Sequence, residues 1–159
     1  MACAKFAGNF QPGGVSGNAG AINYMAVLSH LDAKGKAKMV DVTAKKPTVR
    51  EAVARGKVLM RPETAVLIAG EGVPKGDVFG VARIAGVMAA KKTGDLIPLC
   101  HPLDLTDIDI QFVTDIKRGE IGIEAKVISV GRTGVEMEAM TAVSVAALTI
   151  YDMCKAADR

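Results

Sequence analysis

The sequence contains no tryptophan, and only 4% of its 159 residues are aromatic. The core must therefore be built from Ala, Val, Ile, Leu and Met, because half of the residues are hydrophobic. A chain of this length is expected to form one domain with a substantial core. Small aliphatic residues pack helices closely, and an excess of them on helices is also typical of contacts between subunits.

Cysteine and long apolar runs are also scarce. Cys3, Cys100 and Cys154 are widely spaced and form no Cys-x-x-Cys pair, which argues against a disulfide framework and a structural zinc site. No apolar run reaches the ~18 residues of a membrane span, and the N-terminus lacks the basic and apolar regions of a signal peptide. We expect a cytoplasmic protein with no membrane attachment.

The formal net charge of +3 is modest, and basic residues are not interleaved with aromatic ones. A nucleic-acid partner is therefore not expected. Residues 1–27 are rich in Gly, Ala, Asn and Ser and show no hydrophobic period, so they are interpreted as a flexible N-terminal extension. Residues 28–159 are interpreted as a single domain.

The pattern of the first half predicts mostly helices. Thr48 followed by Glu51 resembles a helix start, and Gly56 would end that helix. A short strand is predicted over Lys57–Met60 and a short helix from Pro62. Asp77 is predicted to cap a helix over 78–92 that Gly94 stops.

The second half predicts a hairpin and a long helix. Apolar residues alternate over 107–112 and again over 121–127, on either side of a short turn containing Gly119. Residues 135–156 are apolar at helical spacing nearly all round, which predicts burial on more than one side and an oligomer. Mixed helices and hairpin strands indicate an α+β fold.

The run from Asp95 to Leu103 combines a histidine with two prolines. Pro98 and Pro102 restrict the backbone, so Leu99, Cys100 and His101 are predicted to lie on a stiff, extended segment. An imidazole beside Lys91 and Lys92 suits a polyanionic ligand, and histidine transfers protons near neutral pH.

The lysines have structural as well as functional interpretations. Lys91 and Lys92 at a helix C-terminus offset the macrodipole, and spacing alone favours that interpretation. Lys75 precedes a helix N-terminus, where a cation and free N–H groups together suit a phosphate.

The last helix carries charged residues at both ends. Glu136 and Glu138 offset the dipole at its start, and they point ~200° apart, so they cannot serve one pocket equally. Asp152 and Lys155 are spaced as an ion pair, in which the aspartate could orient and tune a catalytic lysine.

These residues alone leave two classes open. One is an acid–base enzyme without a redox cofactor that acts on a phosphorylated small molecule. The other is a non-catalytic regulatory or binding module that senses a nucleotide and needs only the basic groups.

Several segments closely resemble the MoaC family, and they cover about 39–156 in the family's order. The matching segments are 39–45 (MVDVTAK), 48–52 (TVREA), 75–79 (KGDVF), 82–86 (ARIAG), 91–103 (KKTGDLIPLCHPL), 134–139 (GVEMEA) and 148–156 (LTIYDMCKA).

This resemblance implies a ferredoxin-like α+β subunit in a homohexamer, a trimer of dimers with sites at subunit interfaces. It implies conversion of 3′,8-cyclo-7,8-dihydroguanosine 5′-triphosphate to cyclic pyranopterin monophosphate with release of pyrophosphate, in molybdenum cofactor biosynthesis. No redox cofactor and no protein-bound metal are implied, while a divalent cation accompanying the triphosphate stays open.

The resemblance also implies roles for individual residues. Asp152 matches the family's active-site residue, and Lys155 is its partner in acid–base work. Basic residues that face the substrate and its triphosphate match Lys75, Lys91 and Arg50, which replaces the purely structural interpretation of Lys91. The implied substrate-lining residues are Leu99, Cys100, His101, Met137 and Glu138, with Asp41 and Glu136 as acids near the site.

The chain departs from the family pattern at its end. Family members usually continue into a Gly/Ser/Lys-rich tail, whereas this sequence ends at Asp158-Arg159. If that tail closes over the substrate, its absence would weaken activity.

Overall fold

A computed structural model of the chain describes residues 4–5, 35–70 and 72–158. Of the predicted extension 1–27, only Ala4–Lys5 falls within these ranges; the rest lies outside the described residues. The elements are β1 (Ala4–Lys5), β2 (Thr48–Leu59), α1 (Pro62–Ala69), α2 (Val78–Lys91), α3 (Thr93–Leu96), β3 (Leu105–Asp115), β4 (Glu120–Gly131) and α4 (Glu136–Cys154).

The strands form one antiparallel sheet in the order β1-β2-β4-β3. The predicted hairpin is confirmed as β3 and β4, and Gly119 in its turn has φ +59°, a left-handed conformation that glycine adopts without strain. Helices packed against an antiparallel sheet make this an α+β fold, as expected.

The helix predicted from Thr48 is wrong, because these residues form β2. All twelve residues of β2, from Thr48 to Leu59, pair with β4. Along the strand, Val49 and Val53 point outward and are exposed, while Ala52 and Ala54 are half-buried. The alternation of exposed and half-buried side chains and the pairing with β4 outweigh the local capping pattern. A helix is stabilised mainly by packing an apolar face, which a capping pattern does not provide.

The core lies between the sheet and the pair α2 and α4, which pack on each other and on one sheet face. Ile110, Ile121 and Ile150 are at most 1% exposed, and full burial of such a side chain stabilises by roughly 1.5–3 kcal/mol. The expected apolar stripe of α4 is confirmed: its buried members include Ala139, Ala142, Val143, Ala146, Ile150 and Met153.

Close packing of α2 on α4 depends on Gly86. A Cβ atom at this position would lie 2.6 Å from Ile110 Cδ1 and 3.0 Å from the Ala142 carbonyl oxygen. The two helices therefore approach closely because this residue has no side chain, consistent with a core of small residues.

By length and hydropathy alone, α4 is apolar enough to cross a membrane, with a mean hydropathy of 1.2. However, 56% of the apolar stretch is buried inside the protein. Packing against the sheet and α2 accounts for its composition.

The predicted cap of α2 is present. The Asp77 carboxylate accepts a hydrogen bond from the Gly80 backbone N–H at 2.8 Å. Because Asp77 ends the loop that carries Lys75, this cap also fixes one end of that loop.

We expect Asp77→Ala to lower the free energy of unfolding by about 1 kcal/mol, because it removes the cap acceptor. Asp77→Asn keeps an acceptor oxygen and should lose less. Denaturant unfolding of both variants measures this, and equal stabilities for the two would contradict the capping role.

Candidate functional site

The residues singled out from the sequence fall into two groups, one at each end of α4. The first lines a cleft of about 460 Å³ around the start of the helix. The second surrounds Asp152 near its end. We call them the cleft and the lysine–aspartate cluster.

The cleft is built from three segments of the chain: residues 40–45, residues 97–103 and the start of α4 with its preceding loop. Its lining residues are Val40, Val42, Lys45, Ile97, Leu99, Cys100, His101, Leu103, Thr133, Gly134, Glu136, Met137 and Glu138. The structure thus brings together Leu99, Cys100, His101, Glu136, Met137 and Glu138, which were all expected near the substrate.

The segment carrying His101 is less extended than predicted. Asp95 and Leu96 belong to the helical turn α3, so Gly94 lies within a helical turn just after α2. The Cys100 N–H donates to the Ile97 carbonyl at 3.0 Å, which places Pro98 and Leu99 inside a turn. Proline pre-sets the backbone for that position of a turn, which the extended interpretation overlooked.

Gly94 lets this segment pack closely. A Cβ atom there would lie 3.3 Å from Pro102 Cα. The backbone next to His101 is therefore held against α3, and the half-buried imidazole faces the cleft.

Glu136 and Glu138 both line the cleft but differ in environment, as their spacing predicted. Glu136 is exposed, whereas Glu138 is only 4% exposed. None of the ion pairs among the described residues includes Glu138. Burial raises the pKa of the Glu138 carboxyl, and the nearby Glu136 charge acts in the same direction.

Glu138 also connects the cleft to a smaller cavity. That cavity, of about 80 Å³, lies between the end of α2 and Pro102, and Lys91 lines it. Burial and the Glu138 charge raise the pKa of Cys100, which disfavours the thiolate form of this side chain.

Asp41 and Arg50 lie at the margins of this region. Hydrogen bonds from the Thr43 side chain and then from the Thr43 N–H, at 2.9 Å, lower the pKa of Asp41, and His101 is near enough to contribute. Arg50 Nε lies 3.5 Å from the Gly131 carbonyl oxygen, at the end of β4 that leads to the cleft.

Lys45 is a cation of the cleft that reasoning from the sequence did not assign to a role. Its signal was present, because it ends the matching segment 39–45 that also contains Asp41. Thr133, in the loop before α4, lines the cleft as well and was not singled out.

The lysine–aspartate cluster joins residues 77 positions apart. Asp152 Oδ1 lies 2.7 Å from Lys155 Nζ, as the helical spacing predicted. Asp152 Oδ2 lies 2.8 Å from Lys75 Nζ, which also donates to the Asp152 carbonyl at 2.9 Å. All three side chains are roughly half exposed.

Two ammonium groups on one carboxylate leave this cluster with a net positive charge. The hydrogen bonds from Lys155 and then Lys75 lower the pKa of Asp152 to about 2. Asp152 is therefore an anion throughout the physiological range, and the cluster can attract an anionic ligand.

Among the described residues, no group of three or more His, Cys, Asp or Glu side chains is arranged to hold a metal ion. The cations and the cleft instead suit a polyanionic organic molecule.

Comparison with known proteins agrees with this chemistry. The model of the MoaC family matches residues 39–159. The chain is 67% identical over 135 residues to the cyclic pyranopterin monophosphate synthase of Pelotomaculum thermopropionicum, covering 85% of this chain and 79% of that protein. It is 63% identical over 135 residues to the protein of the same name from Roseiflexus sp. strain RS-1, covering 85% of both. It is 61% identical over 132 residues to the protein of the same name from Chloroflexus aggregans, covering 83% of this chain and 80% of that protein.

We expect the Asp152 carboxyl to titrate with a pKa of about 2. Because both lysines stabilise the anion, Lys155→Met and Lys75→Met should each raise this pKa, with the larger rise for Lys155. NMR of carboxyl-labelled aspartate measures the midpoints. An unshifted midpoint near 3.8 in the unsubstituted protein would contradict the cluster geometry.

Proposed function

The chain belongs to the MoaC family, and we propose that it is a cyclic pyranopterin monophosphate synthase whose active sites each combine the cleft of one copy with the lysine–aspartate cluster of another. The reaction converts 3′,8-cyclo-7,8-dihydroguanosine 5′-triphosphate to cyclic pyranopterin monophosphate and pyrophosphate, in molybdenum cofactor biosynthesis. The enzyme is a lyase. The observation that supports a shared active site is the distance between the two groups of residues within one chain.

The two groups are too far apart to act together within one chain. Glu138 and Asp152 lie on the same helix, fourteen residues apart, which corresponds to about 21 Å at 1.5 Å per residue. One substrate must contact the cleft and the cluster together if both take part in one reaction. A second copy can supply the missing half, because a two-fold interface presents each surface reciprocally.

An exposed apolar surface next to the cluster supports this arrangement. On α4, Leu148 is 66% exposed and precedes Asp152 by one helical turn. On α2, Ile84 is 64% exposed. We call this the outer helix surface; its members are Val81, Ile84, Met88, Met140, Leu148 and Tyr151. Contiguous exposed apolar residues are typical of protein–protein contacts.

The face of the sheet away from the helices offers a second exposed surface of mixed character, where the Glu51–Lys126 and Arg55–Glu124 ion pairs lie among exposed valines. Val49, Val113 and Val130 are each more than half exposed there. A trimer of dimers needs two kinds of interface, and we propose that these two surfaces form them in a homohexamer. From β2 to α4 the order is β-α-α-α-β-β-α, which follows the β-α-β-β-α part of a ferredoxin-like subunit when α1, α2 and α3 are counted as one helical connection.

The cations of the composite site suit the triphosphate. Lys75 and Lys155 carry positive charge held in place by Asp152, and Arg50, Lys45 and Lys91 lie on the cleft side. Closing the cyclic phosphate forms a new P–O bond at the α-phosphorus and breaks its bond to the pyrophosphate. Fixed cations stabilise the charge that develops on the leaving oxygen.

Rearrangement of the purine and ribose requires proton transfers. His101 faces the cleft and is a candidate to transfer a proton, and burial raises the pKa of Glu138, which favours the protonated form that can donate one. Lys155 is placed to exchange a proton, with Asp152 as its orienting anion. Leu99, Cys100 and Met137 shape the cleft around the base, while Asp41 and Glu136 supply acceptors at its rim.

We further propose that the protein acts in the cytoplasm and uses no redox cofactor, with any divalent cation arriving on the triphosphate. The reaction rearranges bonds of the purine and ribose and transfers a phosphoryl group without net oxidation or reduction, so it requires no redox cofactor. The widely spaced cysteines are typical of a reducing compartment.

Incubation with the cyclised dihydro-GTP triphosphate should yield cyclic pyranopterin monophosphate and pyrophosphate. Asp152→Ala and Lys155→Ala should reduce turnover at least about 100-fold with smaller effects on substrate binding, because their interactions develop in the transition state. Chromatography of product and calorimetry of binding measure both quantities.

Lys117→Ala, which removes an exposed turn lysine, should leave turnover unchanged and serves as the matched control. No product above a heat-inactivated sample would contradict the proposed function. Equal losses of binding and turnover would assign Asp152 and Lys155 to binding alone.

A further inference from the structure

Asp158, three residues beyond Lys155, is nearly enclosed by the start of α1, with 11% of its side chain exposed. Its Oδ2 accepts the Arg61 backbone N–H at 2.7 Å and the Thr64 hydroxyl at 3.2 Å. Its Oδ1 lies 3.2 Å from Arg61 Nε. The Arg61 guanidinium also donates to the Ala157 carbonyl. The residues after α4 are thus tied to the N-terminus of α1.

These contacts provide hydrogen-bond partners for polar groups at the N-terminus of α1 that the helix itself does not pair. Arg61 is the N-cap residue of α1, and its own side chain does not cap the helix. A carboxylate is stabilised at a helix N-terminus, where N–H groups lack partners. The Arg61 N–H, the Thr64 hydroxyl and the Arg61 side chain all lower the pKa of Asp158. Asp158 therefore caps α1 from a distant part of the chain.

The chain forms a hydrogen-bonded turn at the end of α4. The Ala157 and Asp158 N–H groups both donate to the Cys154 carbonyl, at 2.9 and 3.1 Å. This turn contains Lys155, so anchoring Asp158 fixes the backbone from which the Lys155 side chain departs.

The other end of α1 leads to Lys75. The helix ends at Ala69, and the following loop carries Val73, Pro74 and Lys75. α1, this loop and the end of α4 surround one mostly apolar cavity of about 240 Å³, lined by Thr64, Leu67, Gly72, Val73, Pro74, Met153, Cys154, Ala156 and Ala157. At the edge of this cavity, the contacts of Asp158 with Arg61 and Thr64 join α1 to the residues after α4.

We propose that Asp158 and Arg61 form a clasp that positions Lys75 and Lys155 about Asp152. They are positioning residues, since neither belongs to the cleft or the lysine–aspartate cluster. The clasp holds α1 to the turn that contains Lys155, and the position of α1 sets the loop that carries Lys75. This role in catalysis rests on the proposed function, whereas the effect on the cluster itself does not.

The lysines of the cluster depend on a rigid backbone for their positions. Lysine side chains are long and flexible, and those of the cluster are about half exposed. Without rigid backbones beneath them, the ammonium groups would lose their fixed geometry, and small misplacements of reacting groups are costly.

The test compares Asp158→Asn and Asp158→Glu with Asp115→Asn in the full chain. Asp115 is the matched control, because it also accepts a backbone N–H, from Arg118, and pairs with that arginine's side chain, in the β3–β4 turn. All are assayed at a temperature where circular dichroism shows them folded. We expect Asp158→Asn to lower kcat at least about tenfold while KM changes less than about threefold. Asp158→Glu should recover part of kcat, and Asp115→Asn should match the unsubstituted protein.

A second readout does not depend on activity. In Asp158→Asn the NMR titration midpoint of Asp152 should rise towards 3.8, because the two lysines no longer hold its anion. An Asp158→Asn variant with unchanged kcat and an unchanged Asp152 midpoint would overturn the clasp, even if the enzyme is active. If the unsubstituted protein makes no product, the proposed function fails, and the Asp152 midpoint alone decides the clasp.

Discussion

Burial of α4 between the sheet and α2 is the constraint on which the rest of the structure depends. Small residues such as Ala142 and Ala146, facing Gly86 of α2, let the two helices approach closely. The helix can then run as one rigid element across the domain. Its start contributes Glu138 to the cleft and its end contributes Asp152 to the cluster, so one packed helix sets the spacing of both.

The same burial gives the two groups opposite electrostatic environments. At the start of the helix, desolvation raises the pKa of Glu138 and makes it a candidate proton donor. At the exposed end, two ammonium groups keep Asp152 ionised. We propose that each active site combines the groups at the start of α4 in one copy with those at its end in another copy, so that the cleft and the cluster both contribute to proton transfer and to binding of the triphosphate.

Patterns that are local in the sequence predicted the fold well where packing agrees with them. The alternation around Ile110 and Ile123 predicted the hairpin, and the Asp77 cap predicted α2. The pattern at Thr48 failed because a capping box is a local signal, while strand pairing with β4 is set by residues 61 to 83 positions away. The turn at Pro98 was missed because proline suits both extended and turn conformations.

The candidate site could also be predicted only where its residues are close in the sequence. Spacing on one helix was enough to pair Asp152 with Lys155, whereas Lys75 joins them only through the fold. The pattern of the last helix placed Glu138 at its start and Asp152 near its end, but it did not show which residues of other segments join each of them. Lys45 and the contacts of Asp158 were not assigned, because their partners come from segments that the sequence does not place side by side.

Subunit mixing tests the composite site most directly. Glu138→Gln damages the cleft and Asp152→Asn damages the cluster, so each variant alone should be nearly inactive. When the two are denatured, mixed in equal amounts and refolded, mixed pairs regain one intact site, and about a quarter of the activity of the unsubstituted protein should return. A mixture of Asp152→Asn with Lys155→Ala, both damaged in the cluster, should regain none. No recovery in the first mixture, with oligomers shown by light scattering, would contradict an active site shared between copies.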